Sequence, residues 1–169
     1  MIVAFVISLT SLGGVMYMYM SLPKTAYVRV GYLYDNFQFK KELESKLTTI
    51  VSARKTVLDS LELHLKVLSN SIERSSKKDG QEIEKFNQER QQYLMKKQQF
   101  EEDQQNQTKQ YSDEISKQIS QYVEDYGKAN GYTYLYGATG NGTILSANDK
   151  YDITTTVLEY INERYKGKK

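Results

Sequence analysis

Hydrophobic positions in this chain follow two rhythms, a long helical one in the middle and a short alternating one towards the ends. Between Lys41 and Ser75 the residues Leu47, Val51, Arg54, Leu58, Leu61, Leu65, Leu68 and Ile72 alternate steps of four and three, with Arg54 as the one polar interruption. That is a heptad seam, and it asks for a long partner. A second helical stretch, Gln81 to Lys128, offers a sparser seam through Ile83, Phe86, Tyr93, Phe100, Tyr111, Ile115, Ile119 and Tyr122, with Arg90, Lys97, Gln104 and Gln107 at seam-like positions. Ser75 to Gly80 (SSKKDG) combines poor helix formers with a glycine and reads as the reversal between the two. The pattern therefore predicts an antiparallel helical hairpin whose first arm, at about 1.5 Å per residue, extends roughly 50 Å.

The shorter rhythm predicts strands. Thr25 to Tyr34 (TAYVRVGYLY) reads as one strand followed by a connection, Tyr132 to Tyr136 (YTYLY) as a second strand and Thr143 to Ala147 (TILSA) as a third. The last two are expected to form a hairpin through GATGNG, where Asn141-Gly142 is the strongest turn signal. A phosphate cradle would need a following Lys and helix, and that loop has neither. Asp152 to Tyr165 reads as a final helix, capped by Asp152, with Ile153, Val157, Tyr160 and Ile161 on its apolar side.

The fold class expected is α+β: a small β-containing body with a long antiparallel helical hairpin arm. The body is composite, 24–40 with 129–169, and the arm is 41–128 with its tip near 75–80. Exposed strand edges in so small a sheet are best hidden by pairing with other subunits. The candidates for that oligomerisation core are Tyr27, Val28, Val30, Tyr134, Leu135, Ile144, Leu145, Ile153, Val157 and Ile161.

Residues 1–22 carry no charged side chain and are long enough as a helix to cross most of a hydrocarbon layer of about 30 Å. Two readings stand. As a signal segment it has an apolar centre at Ile2 to Leu12 but no basic start; as a membrane anchor it would hold Tyr17 and Tyr19 near the interface.

Composition narrows the chemistry. The chain has 169 residues and 39% hydrophobic content, enough for one ordinary domain, but much of the apolar content lies in the first 22 residues. Twelve Gln fall between Gln81 and Gln121, favouring exposed helix over a thick interior. With no Cys, disulfides, thiolate metal sites and Cys nucleophiles are excluded. His64 is the only His, so an ordinary zinc site is not expected. Glu101-Glu102 and Glu124-Asp125 read as solvated helix faces, and Asp149, Lys150 and Asp152 have no third chemical partner. A net charge of +2, with the signs interspersed, does not mark a nucleic-acid binder. The expectation is a holding or scaffolding protein, not an enzyme, with no metal and no cofactor.

Four stretches carry a family resemblance: AYVRVGYLYDNF (Ala26 to Phe37), KKELESKL (Lys40 to Leu47), YGKANGYTYLYG (Tyr126 to Gly137) and ILSANDKYDITTTVLEYIN (Ile144 to Asn162). In this order and context the chain after Pro23 resembles the Skp/OmpH family of periplasmic chaperones. The resemblance implies a homotrimer of jellyfish-like, prefoldin-like outline, whose strands and short helices form a trimerisation body and whose three arms enclose unfolded outer-membrane or envelope proteins without ATP or metal. It also implies the periplasm of a Gram-negative bacterium, with or without an inner-membrane anchor. The chain departs from the family in its less basic charge and in a segment 1–22 that lacks a clear cleavage site.

A client kept unfolded needs weak, plural and exchangeable contacts. Phe86, Tyr93, Phe100 and Tyr111 on the sparse arm, and Arg74, Lys77 and Lys78 at the tip, are the candidate client-binding residues. Hairpin packing is the alternative reading of the aromatics, and a solvated turn that of the charges. The alternative function is a membrane-associated coiled-coil structural or adaptor component of a cell-envelope machine, with one dedicated partner.

Overall fold

The structure is a computed structural model that describes residue 18 and residues 22–75, 80–139 and 144–167. Strand β1 (Thr25–Arg29) leads into helix α1 (Val30–Asn36), then α2 (Gln38–Arg74), α3 (Gly80–Ala129), strand β2 (Tyr134–Ala138), a 3-10 turn (Asp149–Tyr151) and helix α4 (Thr154–Tyr165). The chain divides into two compact units, Met1–Phe37 with Gln118–Lys169, and Gln38–Lys117. No described helix is long and apolar enough to cross a membrane, and the anchor and signal readings of 1–22 fall almost wholly outside the described residues.

In the first unit β1 and β2 form a parallel pair in the register Thr25↔Tyr134 to Arg29↔Ala138. This corrects the expected hairpin: Ile144 to Ala147 form no strand, and the partner of β2 comes from the other end of the chain. A parallel pair needs a crossover connection, here supplied by the long helices, so the tight-turn signal at Asn141-Gly142, which lies outside the described residues, could not select the pairing. On its other side β1 meets Asp152 in a single bridge, with the Ile153 N–H donating to the Tyr27 carbonyl at 3.1 Å.

The β-prone run Thr25 to Tyr34 is strand only as far as Arg29. Ala26 and Val28 point inward at the spacing of a strand, whereas Leu33 and Phe37 are buried four apart, the spacing of a helix. Burial of those two side chains overrides the β propensity of Tyr32 and Tyr34. Phe37 interrupts α1 and α2 in an extended conformation while its ring meets Tyr122 and Tyr165 edge-on, at centroid distances of 6.3 and 5.7 Å. Ile119, Val157 and Ile161 complete the core, and Thr154 is the buried polar residue within it.

Strand β2 starts two residues later than the sequence suggests because Tyr132 belongs to the end of α3. Gly131 adopts φ 68°, its N–H donates to the Lys128 carbonyl at 3.3 Å and the Tyr132 N–H donates to the Gly127 carbonyl at 2.9 Å. These two bonds define a Schellman cap, completed by the Tyr132 ring stacked on Tyr126 at 6.1 Å. The Thr133 N–H then reaches the Lys24 carbonyl at 2.8 Å, which sets β2 alongside β1.

The second unit is an antiparallel pair of helices. Arg54 of α2 meets Phe100 and Asp103 of α3, while His64, further along α2, meets Glu89, further back on α3. All eight predicted seam positions of α2 are half-buried, and Leu43 and Ile115 are buried. On α3 the expected Arg90, Lys97 and Gln104 are exposed; Glu89 takes the shielded place beside His64, and of the four polar positions only Gln107 is half-buried.

Candidate functional site

The apolar stripe of α3 in the second unit is built from residues seven apart. Phe86, Tyr93, Phe100 and Gln107 therefore return to one face every two turns, and the turns between them carry polar residues. Phe86, Tyr93, Phe100 and Tyr111 are all half-buried on this stripe. Phe100 lies under the Arg54 guanidinium at 5.1 Å, and Arg54 also donates to the Phe100 carbonyl at 3.3 Å and meets Asp103 at 3.2 Å. A planar, five-donor guanidinium can make all three contacts at once, which explains why the polar interruption in the leucine seam is an Arg. The Tyr111 hydroxyl accepts from Gln107 at 3.3 Å. Phe100 is thus engaged across the hairpin, while Phe86, Tyr93 and Tyr111 share its half-buried stripe.

Accessible apolar groups on this unit lie off the stripe. Leu63, Val67, Leu94 and Met95 are exposed, and each has Gln, Lys or Ser close by in the sequence. The seam pattern could not single them out, because its test is periodicity and these positions fall between its steps. Arg74 is exposed in the last turn of α2, close to Val67 and Asn70; Lys77 and Lys78 lie outside the described residues.

In the first unit the expected oligomerisation residues separate into groups. Val28, Val157 and Ile161 are spent on the chain's own interior, at 3%, 0% and 0% exposure. Val30 and Leu135 line an open groove of about 490 Å³ that also touches Leu33, Ile119 and Val123. Tyr27, Ile144 and Leu145 line a shallower hollow, with Leu145 at 91% exposure, and Ile153 is half-buried. On the opposite side of β2 from Leu135, Tyr134 and Tyr136 stand side by side at 55% and 47% exposure, their rings stacked at 6.1 Å. Tyr136 was missed from sequence, since it closes the YTYLY run and the alternation continues beyond it to Ala138.

A polar network holds α4 to β1. The expected cap sits one residue further out than the helix requires: Ile153 occupies the N-cap position without a side-chain bond, and the Asp152 carboxylate accepts from the N–H of Thr154 at 2.9 Å and from its hydroxyl. Arg29 explains the displacement, its Nε lying 3.2 Å from the other Asp152 oxygen. Burial works against the charged carboxylate, but the two Thr154 bonds, Arg29 and the Tyr27 hydroxyl outweigh it, so the Asp152 pKa lies below the ordinary value. The Tyr27 pKa is raised, by burial first and by Asp152 and Asp149 after it. The network is structural, as every member is occupied in joining elements. Among the described residues no His, Asp and Glu side chains gather as a metal site.

The sequence model of the family described as outer membrane protein (OmpH-like) matches residues 24–161. The chain belongs to the OmpH-like family. Among solved structures, a protein from Caulobacter crescentus CB15, described as an OmpH-like outer membrane chaperone, superposes with a TM-score of 0.72 at 14% identity, covering 85% of this chain and 86% of that one. At that identity the likeness establishes a shared OmpH-like fold of small sheet and long helices. No curated protein matches the sequence.

Proposed function

We propose that this OmpH-like chain is an ATP-independent periplasmic holdase that keeps unfolded outer-membrane or envelope proteins soluble between its helical arms, without catalysis. The observation that carries this reading is the surface of the helical hairpin, where exposed Leu63, Val67, Leu94 and Met95 are dispersed among polar residues rather than gathered in one deep site. Each such group offers only a weak apolar contact, and several together give a client that is held yet released quickly. The likeness to the Caulobacter crescentus protein, described as an outer membrane chaperone, supports the same reading.

The working form in this proposal is a homotrimer. Tyr134, Tyr136 and Leu145 leave an apolar face uncovered, and a two-strand sheet is marginal alone, so further copies of the chain supply the missing cover. Residues 24–40 and 129–169 act as the body and 41–128 as the arm, with Arg74, Lys77 and Lys78 attracting acidic clients at the tip. Residues 1–22 serve as export signal or as inner-membrane anchor.

Incubation with several unrelated urea-denatured outer-membrane proteins, in the absence of nucleotide, tests the proposal. Soluble complexes with most of them are expected. Indifference to all of them would reject a holdase and leave an adaptor with one dedicated partner.

A further inference from the structure

The hairpin seam is filled unevenly. Where α2 brings Leu58, Leu61, Leu65 and Leu68 to it, α3 returns only Phe86, Tyr93 and Phe100. The shortfall leaves an open groove of about 520 Å³ around Leu61, Leu65, Tyr93 and Met95. That volume falls within the range of about 300–1,000 Å³ that binding pockets occupy. Met95 is 57% exposed at the groove, and a flexible thioether side chain adapts to partners of different shape.

The polar rim is as informative as the apolar floor. Gln92 and Gln99 border the groove seven residues apart, about 10 Å along the helix, a distance that three residues of extended chain cover. A Gln amide both donates and accepts, so it can pair with a peptide group whatever side chain that peptide carries. Glu89 borders the groove as well, but its Oε2 is shielded and already lies 2.9 Å from His64 Nε2, so it belongs to the hairpin's own packing. Glu89 and Lys96 oppose each other in sign, so the rim favours neither acidic nor basic sequences.

We propose that this groove is a subsite for an extended, unfolded polypeptide, which inserts one apolar side chain against Met95 and Tyr93 and pairs its backbone with Gln92 and Gln99. The inference rests on the holdase reading and adds to it a defined contact within each single arm.

The test uses the full chain and a short fluorescent peptide alternating phenylalanine with serine, with binding followed by anisotropy. Met95→Glu, and separately Gln92→Glu with Gln99→Glu, are each expected to weaken binding at least about tenfold. Helicity should be unchanged, since all three side chains are exposed. Gln91→Glu, exposed on the same helix and outside the groove, should bind like the wild type. Equal binding by the wild type and Met95→Glu, or an equal loss in Gln91→Glu, overturns the subsite. No peptide binding while denatured outer-membrane proteins are still held also overturns it and leaves the holdase reading standing; failure with both overturns both. A changed sedimentation mass in Met95→Glu would make the groove a contact between copies of this chain, which likewise overturns the proposal.

Discussion

The backbone N–H of Arg29 donates to the hydroxyl of Thr154 at 2.9 Å, across 125 residues of sequence. The same hydroxyl donates to Asp152, whose other oxygen meets the Arg29 side chain. One fully buried side chain thereby closes the end of β1 and begins α4.

Thr154→Val preserves the shape of that side chain but removes both bonds. The Arg29 N–H loses its acceptor and Asp152 loses a donor, so a loss of about 1–3 kcal/mol is expected, with Thr154→Ser recovering most of it. Urea unfolding followed by circular dichroism measures this. A Val variant as stable as the wild type would show the hydroxyl to be a bystander.

The Asp152 carboxylate should make part of the stability depend on pH. Its folded pKa is lowered, so its contribution is fully present above the ordinary carboxylate value of about 3.9 and is lost as pH falls through the folded value. The stability gap between the wild type and Asp152→Asn should be widest near neutrality and shrink on acidification below about pH 4. A gap that stays constant with pH would mean that the charge itself contributes nothing.

Gly131→Ala should cost about 1–2 kcal/mol, because only glycine occupies φ 68° without strain. Gly137→Ala should also destabilise the sheet, since the new methyl would come within 2.9 Å of Val30 Cγ2, on a side chain with little rotamer freedom. Gly80→Ala, with open space around it and no positive φ, is the control expected to lose nothing. Thermal unfolding of the three variants checks the order.

Burial separates two substitutions in the first unit. Tyr136→Asp adds a charge to an exposed face and is expected to convert the proposed trimer to monomer with helicity retained. Val28→Asp places an unpaired charge in the chain's own interior and should unfold β1 with loss of helicity. Sedimentation at micromolar concentration distinguishes them, and a monomeric wild type would remove the trimer altogether.

At the tip, replacing Arg74, Lys77 and Lys78 by Gln should slow the capture of an acidic denatured client and flatten its salt dependence. Exposed charges guide encounters and are screened over about 8 Å at physiological salt, so complexes already formed should last nearly as long. Stopped-flow mixing at low and moderate salt gives both rates. Unchanged association would leave these residues as solubilising groups of a turn.

The chain's local periodicity was enough to determine the hairpin. Leu47 to Ile72 form the shielded stripe of α2 as read, because whether a helix face is apolar depends only on residues three and four apart. Even there, the choice of Glu89 over Arg90 beside His64 needed the partner helix. The strands show the opposite dependence. Tyr132 looked like strand and became a helix cap; the connection expected after the first strand is helix from Val30 on, with Leu33 and Phe37 buried. Ile144 to Ala147 lost the pairing its turn signal promised. What decided these segments was the parallel pairing of β1 with β2 and the bond from Arg29 to Thr154, each joining residues more than a hundred positions apart. A short strand gains little from its own sequence, so the partner that buries its face and satisfies its backbone settles where it begins, where it ends and whether it forms.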